Sequence, residues 1–67
     1  MLADITGLII AALPNATYKV KLDNNEIAIA YISGKLKQTK TKVLVGDRIL
    51  IRRVSPKVGR IIYKYKA

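Results

Sequence analysis

Hydrophobic and polar positions alternate most cleanly over residues 17–22, where Tyr18, Val20 and Leu22 share one face and Thr17, Lys19 and Lys21 the other. A period of two with lysines on one side predicts a strand with one face in a core and one in water. Residues 26–32 keep the period without the contrast. Ile27, Ile29 and Tyr31 oppose Ala28, Ala30 and Ile32, so pattern alone does not say which set points inward. Residues 5–13 form an earlier strand, with Gly7 marking a bulge or sharp bend inside it. Residues 48–54 and 60–65 supply a fourth and a fifth strand. In the fifth, Ile61, Tyr63 and Tyr65 alternate against Ile62, Lys64 and Lys66. Turn formers punctuate the chain at Pro14-Asn15, Asp23-Asn24-Asn25, Ser33-Gly34, Gly46-Asp47 and Ser55-Pro56.

Residues 35–45 break this pattern. They are mostly polar until Val43, and Leu36 and Val43 stand seven apart, a spacing that would place them on one helical face. A short helical turn or an extended loop is expected there. Five short strands with a short helical connection after the third predict an all-β fold. The matching architecture is the OB fold, a five-stranded, partly open Greek-key barrel whose strand-two and strand-three face binds oligonucleotides. A small SH3-like barrel shares the same pattern. The chain shows no internal repeat, and residues 1–67 are expected to form a single domain.

Charge changes the picture from fold to partner. Thirteen Lys+Arg against four Asp+Glu give a net +9 on 67 residues, which calls for a polyanion, with nucleic acid ahead of an anionic membrane. Composition also removes whole classes of chemistry. With no Cys and no His there is no disulfide, thiolate or imidazole mechanism and no usual zinc site. The acids Asp4, Asp23, Glu26 and Asp47 are not at metal-ligand spacing, so no metal, cofactor or enzymatic activity is expected. The apolar run 8–13 is too short to span a bilayer, and Asp4 precedes it where a signal peptide would carry positive charge. A soluble, intracellular protein without a membrane partner is expected.

The densest charge is Lys35, Lys37, Lys40 and Lys42, a run with no acid in it. Lysines on a connector can neutralise phosphates at intervals along a nucleic-acid backbone. The same run would also serve as a solvated loop. Tyr18, Tyr31, Tyr63 and Tyr65 are the only aromatics, and an exposed ring on a basic sheet is a stacking platform. Tyr18 shares its face with Val20 and Leu22 and reads as core. Tyr31, at a strand end, and Tyr63, beside Lys64, are the candidates for exposure. Lys19 lies on the polar face of the second strand. Arg60 follows Gly59 at a strand start, a fixed place from which to hold a phosphate. Arg52 and Arg53 are adjacent and therefore point to opposite faces.

Together these landmarks resemble the bacterial and plastid translation initiation factor one family. The resemblance is carried in order by Gly7, Leu13-Pro14-Asn15, Tyr18-Lys19-Val20-Lys21-Leu22, Ala30-Tyr31-Ile32-Ser33-Gly34-Lys35, Leu44 with Gly46-Asp47-Arg48, and Gly59-Arg60-Ile61-Ile62-Tyr63. It implies an S1-like OB barrel that binds small-subunit ribosomal RNA at the aminoacyl-tRNA site. It also implies contact with a small-subunit ribosomal protein, work alongside initiation factors two and three, and no catalysis. The family's basic loop falls on Lys35, Lys37, Lys40 and Lys42, its strand-two cation on Lys19, its ring before Ile-Ser on Tyr31 and its arginine on Arg60. Thr39-Lys40 and Thr41-Lys42 stand where the family often has an aromatic and an arginine, and the stretch between Arg48 and Gly59 is shorter than usual.

The expected RNA-binding set is thus Lys19, Tyr31, Lys35, Lys37, Lys40, Lys42, Arg60, Tyr63 and Lys64, on a monomer of the bacterial cytoplasm or the plastid stroma. The bias toward Lys and Ile hints at an AT-rich organelle genome. Two other roles share the charge. A cold-shock-type RNA chaperone would bring clustered aromatics, and this chain has no Phe and no Trp. A basic ribosomal protein would stay in the particle after a high-salt wash.

Overall fold

The computed structural model describes residues 4–38 and 42–65, with the side chains of Lys35 and Lys37 left aside. The elements are β1 (Asp4–Leu13), β2 (Thr17–Leu22), β3 (Ile27–Ile32), α1 (Gly34–Gln38), β4 (Arg48–Ser55) and β5 (Val58–Lys64). The strands close into a barrel in the order β1, β2, β3, β5, β4. All pairs are antiparallel except β3 with β5. Closure depends on β1, which pairs β4 through Asp4 to Leu8 and β2 through Gly7 to Leu13. Where it passes from one partner to the other, a Cβ on Gly7 would stand 2.6 Å from Val20 Cγ1 and 3.0 Å from the Lys21 carbonyl. Only glycine allows that approach.

Ile9, Val20, Leu22, Ala28, Ala30, Ile49, Ile51 and Ile61 fill the barrel interior, with Ile5, Tyr18 and Ile32 packed against them. The alternation read in β2 is therefore correct, and Tyr18 joins the core side. The undecided faces of β3 are settled by its neighbours. Ala28 pairs Val20 and Ala30 pairs Gly59, all buried, which leaves Ile27, Ile29 and Tyr31 outside. Gly59 itself lies tight against β4. A Cβ on Gly59 would overlap Ile51 Cγ2.

Two expectations need correction. The simple alternation of the fifth strand fails at Ile62. Leu50 pairs Tyr63 but Ile51 pairs Ile61, so the ladder slips by one residue there. A bulge of this kind reverses the faces beyond it. Ile61 is buried, Tyr63 is 53% exposed, and Lys64 pairs with the buried Ile49. The short helical turn expected after the third strand is α1, but the seven-residue spacing of Leu36 and Val43 is not a helical repeat. Leu36 lies in α1 and Val43 in the extended segment before β4, yet both are buried against the core. They are two separate anchors of the connector.

The turns follow their residue types. Asn25 adopts φ 70° and its N–H donates to the Leu22 carbonyl at 2.9 Å. Asn15 and Ala16 are both left-handed, at 63° and 58°. For Ala16 this conformation costs about 1–2 kcal/mol. Ser33 caps α1, its hydroxyl accepting the Leu36 N–H at 3.3 Å.

Candidate nucleic-acid interface

The barrel register assembles an outward-facing row across all five strands. Tyr31 on β3 lies beside Thr17 of β2 on one side and Arg60 of β5 on the other. Arg60 lies beside Arg52 of β4, and Arg52 beside Asp4 of β1. Tyr31, Arg60 and Arg52 are all exposed. Arg52 Nε and Nη2 donate to the two carboxylate oxygens of Asp4 at 3.2 and 3.3 Å. That fork holds the guanidinium in place, first by hydrogen bonding and then by charge, and raises its pKa above the usual arginine value. Above the row, where β3 gives way to α1, an open depression of about 410 Å³ is lined by Ser33, Gly34, Arg52, Arg60 and Ile62. A phosphodiester passing here meets two guanidinium groups, with the Tyr31 ring one strand away for a base to stack on.

Lys19 lies on the same outer face, one row along, beside Ile29 and Ala11. Tyr63 stands apart from the row. It projects at the end of β5 with its ring edge-to-face on Tyr65, centroids 5.0 Å apart and planes at 77°. Lys35 and Lys37 place their backbone in α1, which packs on β5. Lys40 lies outside the described residues, as do Thr39, Thr41 and Lys66. Lys42 is exposed.

Lys64 departs from the expectation of a solvent-facing cation. Its Nζ donates to the Lys42 carbonyl at 2.7 Å and lies 3.3 Å from Asp47 Oδ2. Only 27% of its side chain is exposed. Asp47 Oδ2 also accepts the Leu44 N–H at 2.7 Å. That hydrogen bond, opposed by burial and aided by Lys64, holds the Asp47 carboxyl below the usual aspartate range.

The remaining acids are also engaged. Asp23 pairs Arg48 at 3.3 Å and accepts the Thr6 hydroxyl, and Glu26 accepts the Asn24 side-chain amide at 2.5 Å. These pairs leave the +9 excess in place, and exposed pairs of this kind contribute little to stability. The residue that the sequence reading did not single out is Arg52. Its place beside Arg60 comes from antiparallel pairing of two strands, which the adjacency of Arg52 and Arg53 along the chain does not reveal.

The family description of translation initiation factor 1A / IF-1 (eIF-1a) matches residues 3–67. The chain belongs to this family. Translation initiation factor IF-1, chloroplastic, of Oryza sativa subsp. indica is 43% identical over 60 residues, which is 87% of this chain and 56% of that protein. The counterpart of Sorghum bicolor aligns with the same figures. The chain thus spans little more than half the length of these chloroplastic IF-1 relatives. The solution structure of translation initiation factor IF-1 from the Wolbachia endosymbiont strain TRS of Brugia malayi superposes with a TM-score of 0.76 at 36% identity, over 97% of this chain and 79% of that one. The crystal structure of YjeQ from Thermotoga maritima superposes with a TM-score of 0.83 at 20% identity, over 96% of this chain and 23% of that one. At that identity it is a likeness of fold alone. The expected OB barrel is the IF-1 barrel.

Proposed function

We propose that this IF-1 family protein binds the RNA of the small ribosomal subunit at the aminoacyl-tRNA site and assists assembly of the initiation complex, without catalysing a reaction. The observation that carries this reading is the outer row in which Tyr31, Arg60 and Arg52 from three strands stand side by side, next to a connector rich in lysine. The row supplies a stacking surface and paired guanidinium groups, which suit a folded RNA backbone with a base turned outward. The connector supplies charges that gain free energy by releasing counterions. Lys19, Lys35, Lys37, Lys40, Lys42 and Tyr63 extend the contact on either side.

The same reading brings a small-subunit ribosomal protein and initiation factors two and three as partners of a monomer. The chloroplastic relatives favour the plastid stroma over a bacterial cytoplasm. Chemical footprinting of small-subunit RNA with and without the protein tests the proposal. Protection confined to the decoding region is expected. Protection scattered over unpaired RNA, with equal affinity for an unstructured oligonucleotide, would replace this reading with that of a general RNA chaperone.

A further inference from the structure

The connector between β3 and β4 leaves the barrel and rejoins it at two differently built points. The outgoing point is α1, capped by Ser33 and anchored by buried Leu36. The returning point is held from three directions. Val43 is buried in the core. The backbone of the Gly46-Asp47 turn is joined to β1, with the Gly46 N–H on the Ile9 carbonyl at 2.8 Å and the Ile9 N–H on the Asp47 carbonyl at 3.0 Å. The side chain of Asp47 then gathers the Leu44 N–H and the Lys64 ammonium on one oxygen, while Lys64 reaches past it to the Lys42 carbonyl. One β5 side chain thereby grips the connector at Lys42, and indirectly at Leu44.

We propose that Asp47 and Lys64 form a positioning clamp that fixes the returning end of the lysine-bearing connector on the barrel, so that Lys64 serves RNA binding through the connector and not by contact with a phosphate. The inference rests on the RNA-binding reading above and adds residues to it. Charge alone predicts the opposite sign for one partner. Removing the Asp47 carboxylate takes the net charge from +9 to +10, which should tighten binding to any polyanion. A clamp predicts that the same change weakens binding, because the cations of the connector are no longer presented in one place.

The test measures binding of Asp47→Ala, Lys64→Met and the double variant to purified small ribosomal subunits and to poly(U) RNA over a range of salt. Each single variant is expected to lose about five- to tenfold in affinity for subunits, the scale of the net worth of one hydrogen bond. The double variant is expected to lose about as much as either single one, since the two residues act as a unit. Affinity of Asp47→Ala for poly(U), which asks for charge without shape, should be unchanged or higher. The salt slope of Lys64→Met should match that of the parent protein.

Subunit binding by Asp47→Ala as tight as the parent's, or tighter, would overturn the clamp. So would a slope for Lys64→Met that is shallower by about 0.7–0.9, the mark of a lost phosphate contact. Amide exchange in the free protein separates this inference from the RNA reading. The Leu44 amide should lose protection in Asp47→Ala while the β-strand amides keep theirs. If it keeps its protection the clamp is wrong, whatever the protein binds. If the parent protein fails to bind subunits but Leu44 is deprotected as expected, it is the RNA reading that falls. Should Asp47→Ala not fold, the slope and affinity of Lys64→Met decide the matter.

Discussion

The barrel row and the connector present positive charge in different ways. Tyr31, Arg60 and Arg52 come from three strands, and their spacing is set by ladder hydrogen bonds that no single side chain controls. The lysines of the connector are close together in sequence, Lys35 and Lys37 within the capped helix α1 and Lys40 and Lys42 between it and the turn at Gly46-Asp47. A strand register is enforced by the whole buried interior, so the row should be stiff and shape-selective. The connector is tied to the barrel at two points, α1 and the Asp47–Lys64 contact, so the place of its charges should depend on a few side chains. Equal charges are therefore not equal in role. Lys64 belongs to the restraint of the connector, although it sits in a strand beside an exposed tyrosine.

The largest effect is expected in the connector. Lys37→Glu with Lys40→Glu should abolish small-subunit binding, a loss of at least about a hundredfold, with an unchanged thermal midpoint. Co-sedimentation with subunits reads the first and a melting curve the second. Normal sedimentation of the double variant would remove the connector from the interface. Tyr31→Ala should cost about 1–3 kcal/mol of binding, the scale of one stacked base, while leaving the salt slope nearly untouched. That pairing of lost affinity with an unchanged slope distinguishes the row from the connector. A slope change as large as that of a lysine variant would mean that the ring orders nearby cations and does not stack on a base.

The smallest effect lies outside both regions. Ala16→Gly relieves a left-handed alanine in the turn between β1 and β2 and should stabilise the protein by about 0.5–1 kcal/mol. Subunit affinity should stay the same. Denaturant unfolding measures the gain. A loss of stability would show that the methyl group makes contacts worth more than the backbone conformation costs.

Much of the barrel could be read from residues alone. The bounds of β2 and the inward set Tyr18, Val20 and Leu22 follow from alternation with lysine, because burying a lysine is costly and burying a valine is favourable. The faces of β3 were not legible for the same reason in reverse. Ile and Ala are both apolar, and the inward set is fixed only by the register that puts Ala28 beside buried Val20 and Ala30 beside buried Gly59, pairings between separate parts of the chain. The Ile62 bulge hid the true orientation of Lys64, since one extra residue exchanges the two faces.

For the site, Tyr31 and Arg60 were legible as a ring at a strand end and an arginine after a glycine. That they are neighbours was not, because parallel pairing of β3 with β5 joins segments far apart in the chain. Arg52 went unselected because its place beside Arg60 comes from the antiparallel register of β4 with β5, which a bulge at each end leaves unreadable from spacing. Leu36 and Val43 were rightly seen as the apolar points of a polar stretch. Their spacing suggested a helix because two anchors on one core can imitate a helical period over a single interval.

On the proposed function, binding is driven by displacement of cations from folded RNA. The most direct test is the affinity of the unaltered protein for purified small subunits as salt is raised. With about four to six phosphates neutralised, log affinity should fall against log salt with a slope of about −3 to −5. A slope near zero, with attachment indifferent to ionic strength, would contradict it.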